Sequence, residues 1–167
     1  MNPIRLITIA LVVAVAATAS VAVSGSSAKA RSAASAAVVS LRQTALGRTL
    51  VDGQGRTLYL FQGDRPNASR LSQAGFAAWP AFTSSRTPRT TGGAIAAKIG
   101  TIVTHGQRQV VYSHHPLYYF AGDQKAGDTL GQALNEFGAL WYVLSPAGNA
   151  VKSAPHSTAA APSGYGY

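Results

Sequence analysis

Leu58-Tyr59-Leu60-Phe61-Gln62-Gly63-Asp64 returns later in the chain as Leu117-Tyr118-Tyr119-Phe120-Ala121-Gly122-Asp123, with five of the seven positions identical. The spacing Tyr-x-Phe-x-Gly-Asp is kept whole at an offset of 118 − 59 = 59 residues, about the size of one supersecondary unit. An aromatic stretch follows each copy, Phe76-Ala77-Ala78-Trp79 and then Phe137-Gly138-Ala139-Leu140-Trp141, so the two tryptophans of the chain fall one to each copy. The doubling predicts a mainly β fold: a compact single domain of two pseudo-symmetric β-hairpin units with short helical or irregular connections.

Along an extended strand, residues i and i+2 share a face. Tyr59 and Phe61 therefore project together, as do Tyr118 and Phe120, while Leu58/Leu60 and Leu117/Tyr119 face the other way. Both faces are bulky, which suits a strand buried between layers. Around the first phrase, Val38 to Thr44 and Arg48 to Val51 are strand-like, Asp52-Gly53-Gln54-Gly55 is a turn, and Arg56 to Phe61 completes a hairpin. Around the second, Ile99 to Thr104 and Gln107 to Tyr112 flank a His105-Gly106 turn, followed by strands at Pro116 to Phe120 and Leu140 to Leu144. Ser69 to Ala78 reads as a short helix or irregular segment closed by Trp79-Pro80. Thr83 to Gly93 is polar and reads as an exposed connection. The β domain is expected over 38–152, with units at about 44–80 and 99–142.

The ends are of another kind. Met1 to Arg5 is short and basic, Leu6 to Val23 is almost wholly apolar, and Ala28-Lys29-Ala30 offers small residues at a cleavage spacing. Residues 1–30 therefore read as a signal peptide or, since the run nears the roughly 18-residue threshold for spanning, an N-terminal membrane anchor. Either reading puts the rest outside the cytoplasm, secreted or anchored to the outer face of the cytoplasmic membrane. Residues 31–37 read as a flexible tether, and the Ala/Pro/Ser/Gly-rich 153–167 as a disordered tail.

Cysteine is absent from all 167 residues, so no disulfide braces the fold and no lipidated cysteine anchors it. Formal charge is +9, from 14 Lys and Arg against five Asp and Glu. The cations are scattered, which argues against a nucleic-acid arm. A positive field favours anionic envelope components as partners, although solubility alone accounts for the charge equally well.

Asp64 and Asp123 each follow a glycine at a strand end, where a carboxylate most often accepts hydrogen bonds from turn amides. With Tyr59, Phe61, Tyr118 and Phe120 they form a motif read here as structural. A cleft holding both aspartates with Asp128 and Glu136, and binding a cation or ligand, is the competing reading. Tyr112, His115, Tyr119 and Asp128 are the ligand-binding candidates, expected at the surface. His105, His114 and His115 lie close in sequence, but adjacent strand residues face opposite ways, so no metal site and no cofactor is assigned. No Gly-x-Ser-x-Gly elbow, His-Glu-x-x-His or cysteine nucleophile occurs, so no catalytic residue is named.

The doubled phrase resembles the secreted-repeat family of predicted bacterial lipoproteins with a Tyr-x-aromatic-x-x-Asp motif, matched by Tyr59, Phe61 and Asp64 and again by Tyr118, Phe120 and Asp123. The stretch from Gly100-Thr101-Ile102 through His115-Pro116-Leu117, Gly127-Asp128-Thr129 and Asn135-Glu136-Phe137-Gly138 resembles it especially closely. What the resemblance implies is an exported, envelope-associated, two-repeat protein of unknown activity. Two features depart from it: the family's Cys-x-x-x-Cys pair is replaced by Leu71 and Gly75, and the lipobox cysteine is missing. The expectation is an exported, non-enzymatic binding or interaction module of the cell envelope. The alternative is a small-molecule or metal-binding redox accessory.

Overall fold

Nine short strands carry the fold in the computed structural model, which describes residues 36–153. The expected signal peptide or anchor, nearly all of the tether and all of the tail beyond Ser153 lie outside the described residues. Among the described residues, no helix is long and apolar enough to cross a membrane. The strands are β1 (Val38–Thr44), β2 (Gly47–Asp52), β3 (Tyr59–Phe61), β4 (Arg89–Thr90), β5 (Ile99–Thr104), β6 (Gln107–Tyr112), β7 (His115–Pro116), β8 (Asn135–Glu136) and β9 (Ala139–Val143). They form three three-stranded sheets, ordered β2-β1-β4, β3-β9-β8 and β5-β6-β7. All pairs are antiparallel except β1 with β4, which run parallel.

Each repeat opens on a hairpin. In the second, Thr104 pairs with Gln107 across a two-residue turn whose His105 and Gly106 both have positive φ, 46° and 75°. That is the turn whose twist matches flanking strands, and glycine supplies it at no steric cost. In the first repeat Thr44 pairs with Gly47, and Thr44 Oγ1 accepts the Leu46 amide at 3.1 Å. The first hairpin begins at Val38. Arg56 to Phe61 is strand only over Tyr59–Phe61, and a five-residue 3-10 turn, Gln73–Ala77, stands where a short helix or irregular segment was expected. The polar connection is mostly exposed, yet its Arg89–Thr90 lies along β1 as β4.

The two motif segments sit between two cores, as their double-faced bulk predicts. The strand expected over Pro116 to Phe120, however, is only His115–Pro116, and Tyr118 is held by isolated bridges to Tyr59 and Ala81. Leu58, Leu60 and Leu117 join Leu50, Phe82, Val110 and Leu144 on one side. Tyr59, Phe61 and Tyr118 join Trp79, Trp141 and Val143 on the other. The repeats are related by the predicted pseudo-symmetry, and they are crossed. Strand β9, from the second repeat, pairs with β3 of the first, Phe61 opposite Trp141. In return Ala81 of the first repeat bridges Tyr118 of the second, and the Tyr119 amide donates to Pro80 O at 2.8 Å. The same exchange recurs one layer out: Leu50 N–H donates to Leu144 O at 2.9 Å, and Val110 N–H to Phe82 O at 2.8 Å.

Candidate functional site

Tyr59 and Tyr118 face each other at the centre of the molecule, each amide donating to the other's carbonyl at 2.9 and 3.0 Å. Both side chains are fully buried, so each phenol must find an acceptor inside. Tyr59 Oη donates to Asp123 Oδ2 at 2.8 Å, and Tyr118 Oη to Asp64 Oδ2 at 2.7 Å. Each tyrosine thus reaches the aspartate of the opposite repeat. The second carboxylate oxygen holds its own loop: Asp64 Oδ1 accepts the Arg70 amide at 2.6 Å, Asp123 Oδ1 the Leu130 amide at 3.0 Å. Before each aspartate, a Cβ at Gly63 would fall 2.5 Å from the Phe61 ring, and one at Gly122 would collide with Phe120 likewise. The glycine of the motif makes room for the folded-back ring.

The aromatic residues build a continuous stack. Trp79 and Trp141 lie face to face at 3.8 Å and 6°, with Phe61 on the far side of Trp141 at 4.4 Å and Phe120 on the far side of Trp79 at 4.5 Å. Tyr59 meets Trp79 edge-on at 5.4 Å, and Tyr118 meets Trp141 the same way at 5.2 Å. Glu136 serves both indoles, its Oε2 accepting from Trp79 Nε1 at 2.7 Å and its carbonyl from Trp141 Nε1 at 3.2 Å.

Burial pushes the hydroxyls of Tyr59 and Tyr118 far above the usual phenol range, with the neighbouring carboxylates adding to it. Burial also lifts the Asp64 carboxyl, to about 6 against the pull of the Arg70 amide and Tyr118 hydroxyl, and raises Asp123. The phenols are fully buried and the carboxylates half-buried, and the two pairs join the repeats across their seam.

The four surface candidates are not gathered. Tyr112 is fully buried, a correction to its expected exposure: its hydroxyl accepts the Ile95 amide and donates to Pro146 O, both at 2.9 Å. Tyr119 is half-buried, donating to Asp52 Oδ2 at 2.8 Å beneath the Arg56 guanidinium, 3.8 Å from the ring centre. Asp128 caps its own loop, accepting the Gln124 and Lys125 amides at 3.0 and 2.8 Å. His115 lines a cavity of about 290 Å³ with Asp64, Gln62 and Ala150, and burial lowers its pKa. The histidines separate: His105 packs edge-on against Phe76 at 5.2 Å, and His114 Nδ1 lies 3.0 Å from Asn67 Nδ2. Among the described residues, no three His, Asp or Glu side chains converge as metal ligands. A larger cavity, about 510 Å³, lies against β5 and β6, lined by Ile95, Lys98, Ile99, Val111, Ser113 and His114. Sequence reasoning missed it, because Ile95 and Lys98 lie beside the second repeat without belonging to its motif.

Residues 101–145 match a family model described as a secreted repeat of unknown function. The match supports an extracytoplasmic location and an exported module. Comparisons with curated proteins and with solved structures found no match. The matched stretch runs from β5 to just past β9, and the motif partners of its Tyr118, Asp123 and Trp141, namely Asp64, Tyr59 and Trp79, lie outside it. As a stretch of sequence it is one repeat; as a folded object it is half of a crossed pair.

Proposed function

We propose that this chain is a non-enzymatic interaction module held outside the cytoplasm, whose partners are anionic components of the cell envelope. One observation carries the reading: the carboxylates are spent on neutral donors. Asp52, Asp64, Asp123, Asp128 and Glu136 accept from backbone amides, tyrosine hydroxyls and an indole. Residues 36–153 hold eleven Lys and Arg against these five acids, a net of +6, and the positive side chains are left to present their charge outward. The motif tyrosines and tryptophans are consumed by the core, so recognition falls to the surface. The N-terminal apolar run delivers the domain, as a cleaved signal peptide or as an anchor that holds it at the membrane.

Cosedimentation tests the reading. The protein is mixed with phosphatidylglycerol vesicles, phosphatidylcholine vesicles and a phosphate-rich wall polymer, at about 0.02 M and about 0.5 M salt. The expected outcome is binding to the anionic phases at low salt and release at high salt, where the screening length drops to a few ångströms. No binding to either anionic phase at low salt would sink the proposal.

A further inference from the structure

We infer that the free edge of β5 is a self-association site, through which two copies of this chain join their β5-β6-β7 sheets antiparallel. The two hairpins differ at the open edge of the outer strand. In the first repeat the outer strand, β1, is covered along its open edge by the connection after that repeat: Arg89 N–H donates to Ala37 O and Thr91 N–H to Val39 O, both at 2.8 Å. In the second, β5 pairs with β6 on one side and has no strand partner on the other among the described residues.

The register says which groups stand free. Thr104 and Gln107 flank a two-residue turn and so bond each other, and alternation then turns Thr104, Ile102 and Gly100 toward β6. Their partners agree, since Val110 and Arg108, opposite Thr101 and Val103, direct their own backbone groups to the far side of β6. Thr101 and Val103 therefore aim both amide and carbonyl outward. Ile99 offers its carbonyl alone, its N–H being held by Ala96 O.

An open edge is ordinarily blunted by Lys, Pro or a bulge. Ile99-Gly100-Thr101-Ile102-Val103-Thr104 has no charge and no proline, and Val103 is 77% exposed. A second copy is the occupant this edge fits. Centred on Thr101, an antiparallel pair sets Thr101 against Thr101 and Ile99 against Val103 of the other copy. That gives two hydrogen bonds between the threonines and one from each Val103 amide to Ile99 O. Lys98 falls opposite Thr104, so no cation meets a cation across the pair despite the positive charge of each copy. The contact is one strand wide, well short of the ~800 Å² per partner of a standard interface. The association is accordingly weak and reversible.

The chain has no cysteine, so Thr101→Cys installs a single reporter. Opposed residues of a hydrogen-bonded antiparallel pair have Cα atoms about 5.5 Å apart, inside the roughly 4.4–6.8 Å that a disulfide spans. The full chain, in a non-ionic detergent that shields the Leu6–Val23 run, is oxidised beside Leu130→Cys, a control at an exposed residue away from β5. Thr101→Cys is expected to form the covalent dimer at least about tenfold faster, because pre-association raises the effective thiol concentration. Adding Val103→Lys should bring it down to the control rate, with the melting curve unchanged. Equal rates for the two single cysteines, or no effect of Val103→Lys, would overturn the inference. So would finding that the edge captures a different protein while the chain stays monomeric.

Discussion

Tyr59 and Asp123 are joined at 2.8 Å although 64 residues separate them, while the aspartate of Tyr59's own motif, Asp64, serves Tyr118. The motif is therefore completed only by its other copy. Asp123→Ala takes the acceptor from the buried Tyr59 phenol, and Asp64→Ala leaves Tyr118 with Ser69 Oγ at 2.7 Å as its remaining hydroxyl partner. Tyr→Phe takes a donor from a half-buried carboxylate. Losses of about 1–3 kcal/mol are expected, the smallest at Asp64. Double-mutant cycles should return at least about 0.5 kcal/mol of coupling for Tyr59→Phe with Asp123→Ala and for Tyr118→Phe with Asp64→Ala. Tyr59→Phe with Asp64→Ala should be additive. Coupling within a repeat and additivity across would reverse the assignment.

The indole stack is the centre of the second core. Trp79→Ala removes a fully buried ring from between Trp141 and Phe120 and leaves Glu136 Oε2 without its donor. The expected loss is about 3–5 kcal/mol, and Trp141→Ala should cost a similar amount. Denaturant melts check this; a loss under about 1 kcal/mol for either would mean that the stack is not packed as described.

Asp64 makes stability fall as pH rises. Its folded carboxyl titrates near 6, above the ordinary 3.8, because burial penalises the charge. Between those two values the folded state binds the proton that the unfolded state has released, so stability declines with increasing pH. Asp123, raised by the same cause, acts in the same direction. The melting temperature should drop between about pH 4 and about pH 6, and Asp64→Asn should flatten that slope. A wild-type melting temperature that rises across the window contradicts the account.

Thr49 offers a gain. It is fully buried on β2, and its Oγ1 has no hydrogen-bond partner among the described residues. Thr49→Val keeps the shape and removes the stranded hydroxyl, so stability should rise by about 1 kcal/mol. A loss of that size would show that the hydroxyl is satisfied after all.

Neither half should fold by itself. Strand β9 is the partner of β3, and Pro80 and Ala81 are partners of Tyr118 and Tyr119. A fragment ending in the connection before β5, or one beginning there, should be unfolded by circular dichroism. Mixing the two should restore strand signal and a cooperative melt. A folded single fragment would show that the crossing is dispensable.

Much of this was legible in the residues. The doubled phrase with its tryptophans declared two related β units, and His105-Gly106 declared a hairpin that the structure places at that turn. The alternation of Leu58, Tyr59, Leu60 and Phe61 predicted a strand between layers, and these residues do divide between two cores. The crossing was not legible, because identical motifs do not say which Asp each Tyr meets. Tyr112 was misplaced because β6 is buried on both faces from Gln109 to Tyr112, which removes the alternation that marks a surface. Arg89–Thr90 gave no strand signal because its pairing comes from the edge of β1 and not from its own side chains.

The seam between the repeats is packed with fully buried rings, where a two-lobed protein would keep its cleft. Opening the lobes would unstack Trp79 from Trp141 and break both tyrosine–aspartate pairs at once. Among the described residues, the seam accordingly offers no hinge between the repeats. A partner that levered the two repeats apart would not be switching this domain but unfolding it.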